Sequence, residues 1–161
     1  MAGDAVSRKS TTGYLWSWHG NLVSWSSQRQ KTTALSSAEA ELISIVEALR
    51  ELKWLLTATT DISLADIPDE RPAILNTDSQ SALAITERSN TVRRVRHMDI
   101  RFHFTRDLID EGNLAILYVP TALQTADILT KALDRQLFER HRQRLQLSCP
   151  SVDGRKQGSS L

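Results

Sequence analysis

Apolar and polar positions follow two rhythms along this chain, one of period two and one helical. Thr12 to Trp18 (Thr-Gly-Tyr-Leu-Trp-Ser-Trp) is rich in strand formers, His19-Gly20-Asn21 gives a tight turn, and Leu22 to Ser26 reads as the returning strand of a hairpin. After the polar stretch Gln28-Arg29-Gln30-Lys31, Ser36-Ser37 reads as an N-cap, with Glu39 and Glu41 in the first helical turns, where acids suit the dipole. Leu42, Ile45, Val46, Leu49, Leu52 and the cluster Trp54-Leu55-Leu56 carry helical periodicity to about Thr59. Asp61 to Arg71 is a connector. The apolar run from Ala73 then ends on Asp78, and a capping serine opens a short helix to about Arg88. Ser89 to Val95 is a basic loop, and His97 to Glu111 is a second amphipathic helix stopped by Gly112-Asn113. Leu114 to Val119 is a strand closed by Pro120, and a helix is predicted from about Thr125 to Leu147. Hairpin, helix, strand, helix, helix, strand, helix is the order of an α/β fold, a mixed sheet flanked by helices.

Composition narrows the class. The chain has 161 residues, 40% hydrophobic and 24% charged, which suits one soluble globular domain with a real core. That domain is read over 1-147, with 148-161 carrying the composition of a disordered tail. The single Cys149 excludes an internal disulfide framework and a cysteine-based zinc cluster. No apolar run reaches membrane-spanning length and no signal-peptide layout is seen, so an intracellular, non-secreted, non-membrane protein is expected. The net charge of +1 hides two arginine-rich stretches, Arg88 to Arg106 and Arg135 to Arg144. Such stripes fit a polyanion-binding face and a solvated helix surface equally well.

Three acids make a chemical pattern. Asp78 sits at the carboxyl end of a strand, where open α/β sheets form their crevices. Glu41 lies in the first turns of the long helix, and Asp127 in the first turn expected of the last one. Carboxylates converging from separate elements suit phosphodiester hydrolysis by two divalent ions roughly 3.5–4 Å apart, with Mg²⁺ the natural hard, oxygen-seeking ion. Each acid alone also reads as a helix-cap or dipole residue, and spacing by itself does not decide.

Six blocks in register point further. Arg8-Lys-Ser-Thr-Thr-Gly-Tyr14, Val23-Ser-Trp-Ser-Ser-Gln-Arg-Gln-Lys-Thr-Thr-Ala-Leu-Ser-Ser-Ala-Glu-Ala-Glu41, Thr77-Asp-Ser-Gln-Ser-Ala82, Arg96-His-Met-Asp-Ile-Arg-Phe-His-Phe104, Tyr118-Val-Pro-Thr and Ala126-Asp-Ile-Leu-Thr-Lys131 resemble the RNase H domain of copia-class retrotransposon Pol polyproteins, in order from about Met1 to Leu147. The resemblance implies an RNase H-like fold, a mixed five-stranded sheet flanked by helices, and cleavage of RNA in RNA–DNA hybrids with Mg²⁺ or Mn²⁺. It assigns Glu41, Asp78 and Asp127 as catalytic, metal-binding carboxylates and leaves Glu39 as the outward neighbour. It also sets Arg93, Arg94, Arg96, His97 and Arg101 near the nucleic-acid backbone, with a structural helix-start role the alternative for His97; His103 reads as structural. The implied partners are an RNA–DNA hybrid and the reverse transcriptase and integrase portions of a parent polyprotein, in the cytoplasm (in a virus-like particle) or nucleus, with no small-molecule cofactor.

One departure concerns chemistry. The family pattern has an acidic residue on a first, central strand, shortly before the segment aligned with Ala2-Gly3-Asp4, and Met1 stands where that strand should finish. The first strand is therefore expected to be largely missing and hydrolysis by this chain weak or absent, since Asp4 aligns to the following loop. The alternative function is a non-catalytic nucleic-acid-binding or protein-interaction relic. Leu15, Val23, Leu42, Ile45, Val46, Leu49, Ile74, Leu75, Leu83, Ile100, Phe104, Leu108, Ile116, Tyr118, Ile128 and Leu129 are expected inside, with Trp16 and Trp18 packing from one face of the hairpin.

Overall fold

The computed structural model describes residues 9–34, 36–61, 72–80, 83 and 96–147, with backbone only over 96–102. Among them β1 (Thr11–Trp18) and β2 (Asn21–Arg29) form the expected antiparallel hairpin. Its turn is closed by His19 (φ 48°) and Gly20 (φ 77°), the paired positive φ values of a tight hairpin whose twist matches its strands. The register slips between Trp16 and Ser17, which pair with Ser24 and Leu22, so Val23 is the extra residue of a β-bulge. Val23, expected inside, is exposed: burial alternates along β2 and puts Val23 on the same outer face as Trp25.

Helix α1 (Ser37–Asp61) starts where Ser36 Oγ accepts the Glu39 amide at 3.1 Å, a side-chain N-cap. Most of its periodic apolar face is used: Leu42, Ile45, Val46, Leu49 and Leu52 are buried, Leu49 completely, whereas Trp54 is exposed. Strand β3 (Ala73–Thr77) pairs in parallel with β4 (Leu114–Tyr118), and α2 (Arg96–Asp110) makes part of the crossover that parallel pairing demands. Helix α2 ends in a Schellman motif, with the Gly112 amide (φ 71°) donating to Ile109 O and Asn113 to Leu108 O, both at 2.9 Å.

The predicted long helix after Thr125 is corrected. Thr121–Leu123 and Thr125–Leu129 are two 3₁₀ turns, and only Arg135–Arg144 is α-helical (α3). Asp134 explains the late start, because its carboxylate accepts the Leu137 amide at 2.9 Å and caps α3 there. Thr130, whose hydroxyl donates back to Asp127 O, closes the second 3₁₀ turn.

Among the described residues the architecture is mixed α/β, with four strands in two two-stranded sheets, β1–β2 and β3–β4, rather than the expected five-stranded sheet. They share one buried cluster, made of Trp16 from β1, Ile45, Ala48, Leu49 and Leu52 from α1, Leu108 from α2, and Leu114 and Ile116 from β4. Trp16 is pinned by donating Nε1–H to Ala48 O at 3.0 Å. Ile74 and Tyr118, expected inside, are exposed: Ile74 falls on the outward face of β3's alternation, and Tyr118 ends β4. Expectations for Ile100, the helix running to Arg88 beyond Gln80 and Leu83, and the 148–161 tail fall outside the described residues or side chains.

Candidate active site at the carboxyl end of the parallel strands

A cavity of about 1930 Å³ opens between the two sheets, floored by α1 and bordered at one end by the 3₁₀ segment. The close approach of that segment to β1 depends on Gly13. A Cβ there would collide with Thr130 Cγ2 and lie 3.1 Å from Leu129 Cβ. The Ser27 hydroxyl adds a 2.6 Å hydrogen bond to Leu129 O. At this end Glu41, Asp78 and Asp127 all line the cavity, whereas Glu39 does not. Each acid arrives from a different element. Asp78 follows the last residue of β3, Glu41 lies in the second turn of α1, and Asp127 sits in the second 3₁₀ turn rather than at a helix start.

Their partners differ. The Ser79 hydroxyl donates to Glu41 Oε2, which ties β3's exit to α1. Its own amide donates to Thr77 Oγ1 at 3.1 Å. Asp127 is buried, and Lys131 Nζ lies 2.7 Å from its Oδ2, one turn along the chain, as an ion pair without aligned hydrogen-bond geometry. Asp78 is half-buried. Beside them Gln30 Nε2 donates to Thr12 Oγ1 at 3.1 Å and to Ala40 O at 2.9 Å, and Ser44 Oγ donates to Thr12 Oγ1 at 3.1 Å. This buried network ties the end of the hairpin to the first turns of α1, next to Glu41. It leaves Gln30 Oε1 buried without a partner.

Ser79, Lys131 and Gln30 are the residues that sequence reasoning missed at this site. Lys131 was visible as the last residue of an aligned block, i+4 from Asp127, a spacing that sets opposite charges beside each other even on a loosened turn. Gln30 carried no signal, because a glutamine in a polar run reads as solvated. Behind Asp127, His141 of α3 is completely buried, and neither ring nitrogen has a hydrogen-bond partner. Burial, helped by Arg144, Arg140 and Lys131 and opposed by Asp127, holds its pKa below the ordinary histidine value. On the cavity wall, burial and the carboxylates of Glu51 and Glu47 push the Tyr14 phenol up against a weaker hydrogen bond with Ser26, so Tyr14 stays neutral.

The basic set is only partly placed. Arg93 and Arg94 lie outside the described residues, and Arg96, His97 and Arg101 fall in the first half of α2, whose side chains there are not described. His103 is exposed. Among the described residues no helix is long and apolar enough to cross a membrane.

Comparison with known proteins gives the site its context. The chain is 38% identical over 139 residues to the "Retrovirus-related Pol polyprotein from transposon TNT 1-94" of Nicotiana tabacum, a match covering 86% of this chain and 10% of that protein. It is 33% identical over 138 residues to the Pol polyprotein from transposon RE1 of Arabidopsis thaliana, covering 86% of this chain and 9% of the relative. Its homologues are retrovirus-related Pol polyproteins of transposons. The chain thus spans about a tenth of the length of these Pol relatives. A shorter match, 50% identical over 58 residues and covering 36% of this chain and 41% of the relative, is to "Secreted RxLR effector protein 161" of Plasmopara viticola. No protein-family model matches the chain, and no solved structure does.

Proposed function

We propose that this chain is an RNase H-like segment of a copia-type Pol polyprotein, and that Glu41, Asp78 and Asp127 belong to a site for hydrolysing RNA in RNA–DNA hybrids. The observation that carries this reading is that three carboxylates from three separate elements line one cavity, with Asp78 at the carboxyl end of β3. Homology to transposon Pol polyproteins over 86% of the chain supports it.

Such hydrolysis relies on divalent ions held by shared carboxylates. The donors here have the right chemistry, hard oxygens, but not the right arrangement. Among the described residues no three acid, histidine or cysteine side chains are placed to hold one ion. Glu41 is engaged by Ser79, and Asp127 is paired with Lys131. We therefore assign these residues to a site that this arrangement leaves incomplete, and expect little or no hydrolysis from this chain alone. A non-catalytic role is the second reading, favoured by the Lys131–Asp127 pair, which fills an acidic position with a protein cation.

The test is cleavage of a labelled RNA in an RNA–DNA hybrid with Mg²⁺, comparing this chain with a longer Pol segment that contains it. Negligible cleavage by the chain, robust cleavage by the longer protein, and loss of at least about a hundredfold on Asp78→Asn are expected. Cleavage by the longer protein that is indifferent to Asp78→Asn would remove Asp78 from the chemistry and with it the proposal.

A further inference from the structure

The polar network beside Glu41 has a definite donor pattern. Gln30, Thr12 and Ala40 are all buried, and Gln30, Ala40, Glu41 and Ser44 line the cavity together. The Gln30 side-chain nitrogen carries two hydrogens, and its two close acceptors are Ala40 O at 2.9 Å and Thr12 Oγ1 at 3.1 Å. A backbone carbonyl can only accept, so the amide nitrogen must face α1 and the amide oxygen cannot take its place. Oε1 is thereby left buried and, among the described residues, without a partner. Burying an unpaired acceptor is costly, and an apolar side chain would fill the same space without that cost. Gln30 is itself anchored from behind, its main-chain amide donating to Ser10 O at 2.9 Å. An expensive residue held this firmly calls for a role that only its donors can fill.

We infer that Gln30 is a positioning residue for Glu41, a role that rests on the hydrolase reading, and that it acts by fixing the peptide leading into that acid. The link is covalent geometry. Ala40 C=O and Glu41 N–H belong to one planar peptide group, and the Glu41 Cα lies in the same plane. A hydrogen bond that holds the Ala40 oxygen therefore holds the plane on which Glu41 is mounted. The first turns of a helix need such a tie, because helix ends fray. Here the Ser36 hydroxyl caps the Glu39 amide and Ala40 N donates to Ser36 O at 3.1 Å, both within the chain's own turn. Gln30 adds a restraint from outside it, reaching across from the end of the hairpin. Ser44, one turn further along α1, donates to Thr12 Oγ1 at 3.1 Å and so binds Thr12 to the same turn. The other end of Glu41 is held separately, by the Ser79 hydroxyl on its carboxylate. Glu41 is thus fixed at its backbone from the hairpin and at its tip from the exit of β3. Displacing a reacting group by about 1 Å can cost about a hundredfold in rate, so a residue that never touches substrate can still set it.

The test separates hydrogen bonding from shape in two settings. Gln30→Met keeps the length of the side chain and loses both donors, whereas Gln30→Ala loses the volume as well. Thr12→Val keeps the shape and loses the acceptor, whereas Thr12→Ser keeps the hydroxyl. In this chain, Gln30→Met should speed hydrogen exchange of the amides from Ala40 to Ser44 at least about tenfold, as expected when a local tie is lost. In a longer Pol segment acting on an RNA–DNA hybrid with Mg²⁺, Gln30→Met should lower kcat at least about tenfold with KM within about twofold. Thr12→Val should lower kcat in the same direction, and Thr12→Ser should restore it. Asp78→Asn, run alongside, reports on the hydrolase reading by itself. Full activity in Gln30→Met with loss only in Gln30→Ala would mean that Gln30 merely fills space, and overturns the inference. So would an unchanged kcat in both Gln30 variants of a protein that Asp78→Asn inactivates, a result that leaves the hydrolase reading standing. Cleavage that is absent, or indifferent to Asp78→Asn, removes the hydrolase reading and the role of Gln30 with it.

Discussion

Replacing His141 by leucine should stabilise the protein and flatten its response to acid. The side chain is completely buried on α3, and neither ring nitrogen has a partner. A neutral imidazole carries one donor and one acceptor, and leaving such groups buried and unpaired costs about 1–3 kcal/mol each. Leucine removes both, while imperfect fit in a close-packed site returns up to about 1.5 kcal/mol. The expected net gain is about 2 kcal/mol at neutral pH, or roughly 4–8 °C in Tm for a chain of this length. The pH arm has a definite sign. The folded-state pKa is lowered by burial and by Arg144, Arg140 and Lys131, so above the unfolded value of about 6.5 the histidine is neutral in both states and contributes no slope. Below it the unfolded chain takes up the proton first, and native stability falls until the folded pKa is passed. Urea unfolding of both proteins, followed through tryptophan emission at about pH 7.5 and about pH 5.5, reads both effects. A leucine variant less stable than the parent at neutral pH, with an unchanged acid slope, would show that His141 is satisfied in solution and refute the reasoning.

Two further substitutions probe the frame around the site. Gly13→Ala forces Thr130 and Leu129 away from β1 and should cost about 1–3 kcal/mol in chemical denaturation, with faster amide exchange in the 3₁₀ segment that carries Asp127. Leu49→Ala empties the centre of the core shared by the two sheets and should cost about 3–5 kcal/mol, measured as a drop in urea midpoint.

The elements that packing dictates were legible in the sequence. The hairpin, α1, β3, α2 and β4 follow from periodicity and turn chemistry, because each has a face that α1 or its neighbours must bury. The error over the last helix has a local cause. Thr125 to Asp134 scores as a helix by pattern, yet Asp134 competes for the helix start and Thr130 bonds backward, and neither preference is visible to periodicity. Trp16 was legible as a packed residue; Val23 was not, because alternation alone does not say which face of β2 is the inner one. At the site, the elements bearing Glu41 and Asp78 were readable, and the resemblance chose Glu41 over Glu39. The partners that decide the electrostatics were not, since Ser79 reaches Glu41 and Lys131 reaches Asp127 through tertiary geometry and a broken helix.

The slip at Trp16 and Ser17 has a consequence for how the molecule is kept from sticking to itself. A bulge sharpens the local twist of a two-stranded ribbon and spoils the flat repeat that another hairpin would need for stacking. Val23 and Trp25 share the outer face of β2 as a solvent-facing pair of apolar side chains. With the twist concentrated beside them, that patch lies on a surface that is not flat. The irregularity near the hairpin tip thus works against regular strand-to-strand pairing of two copies through this ribbon.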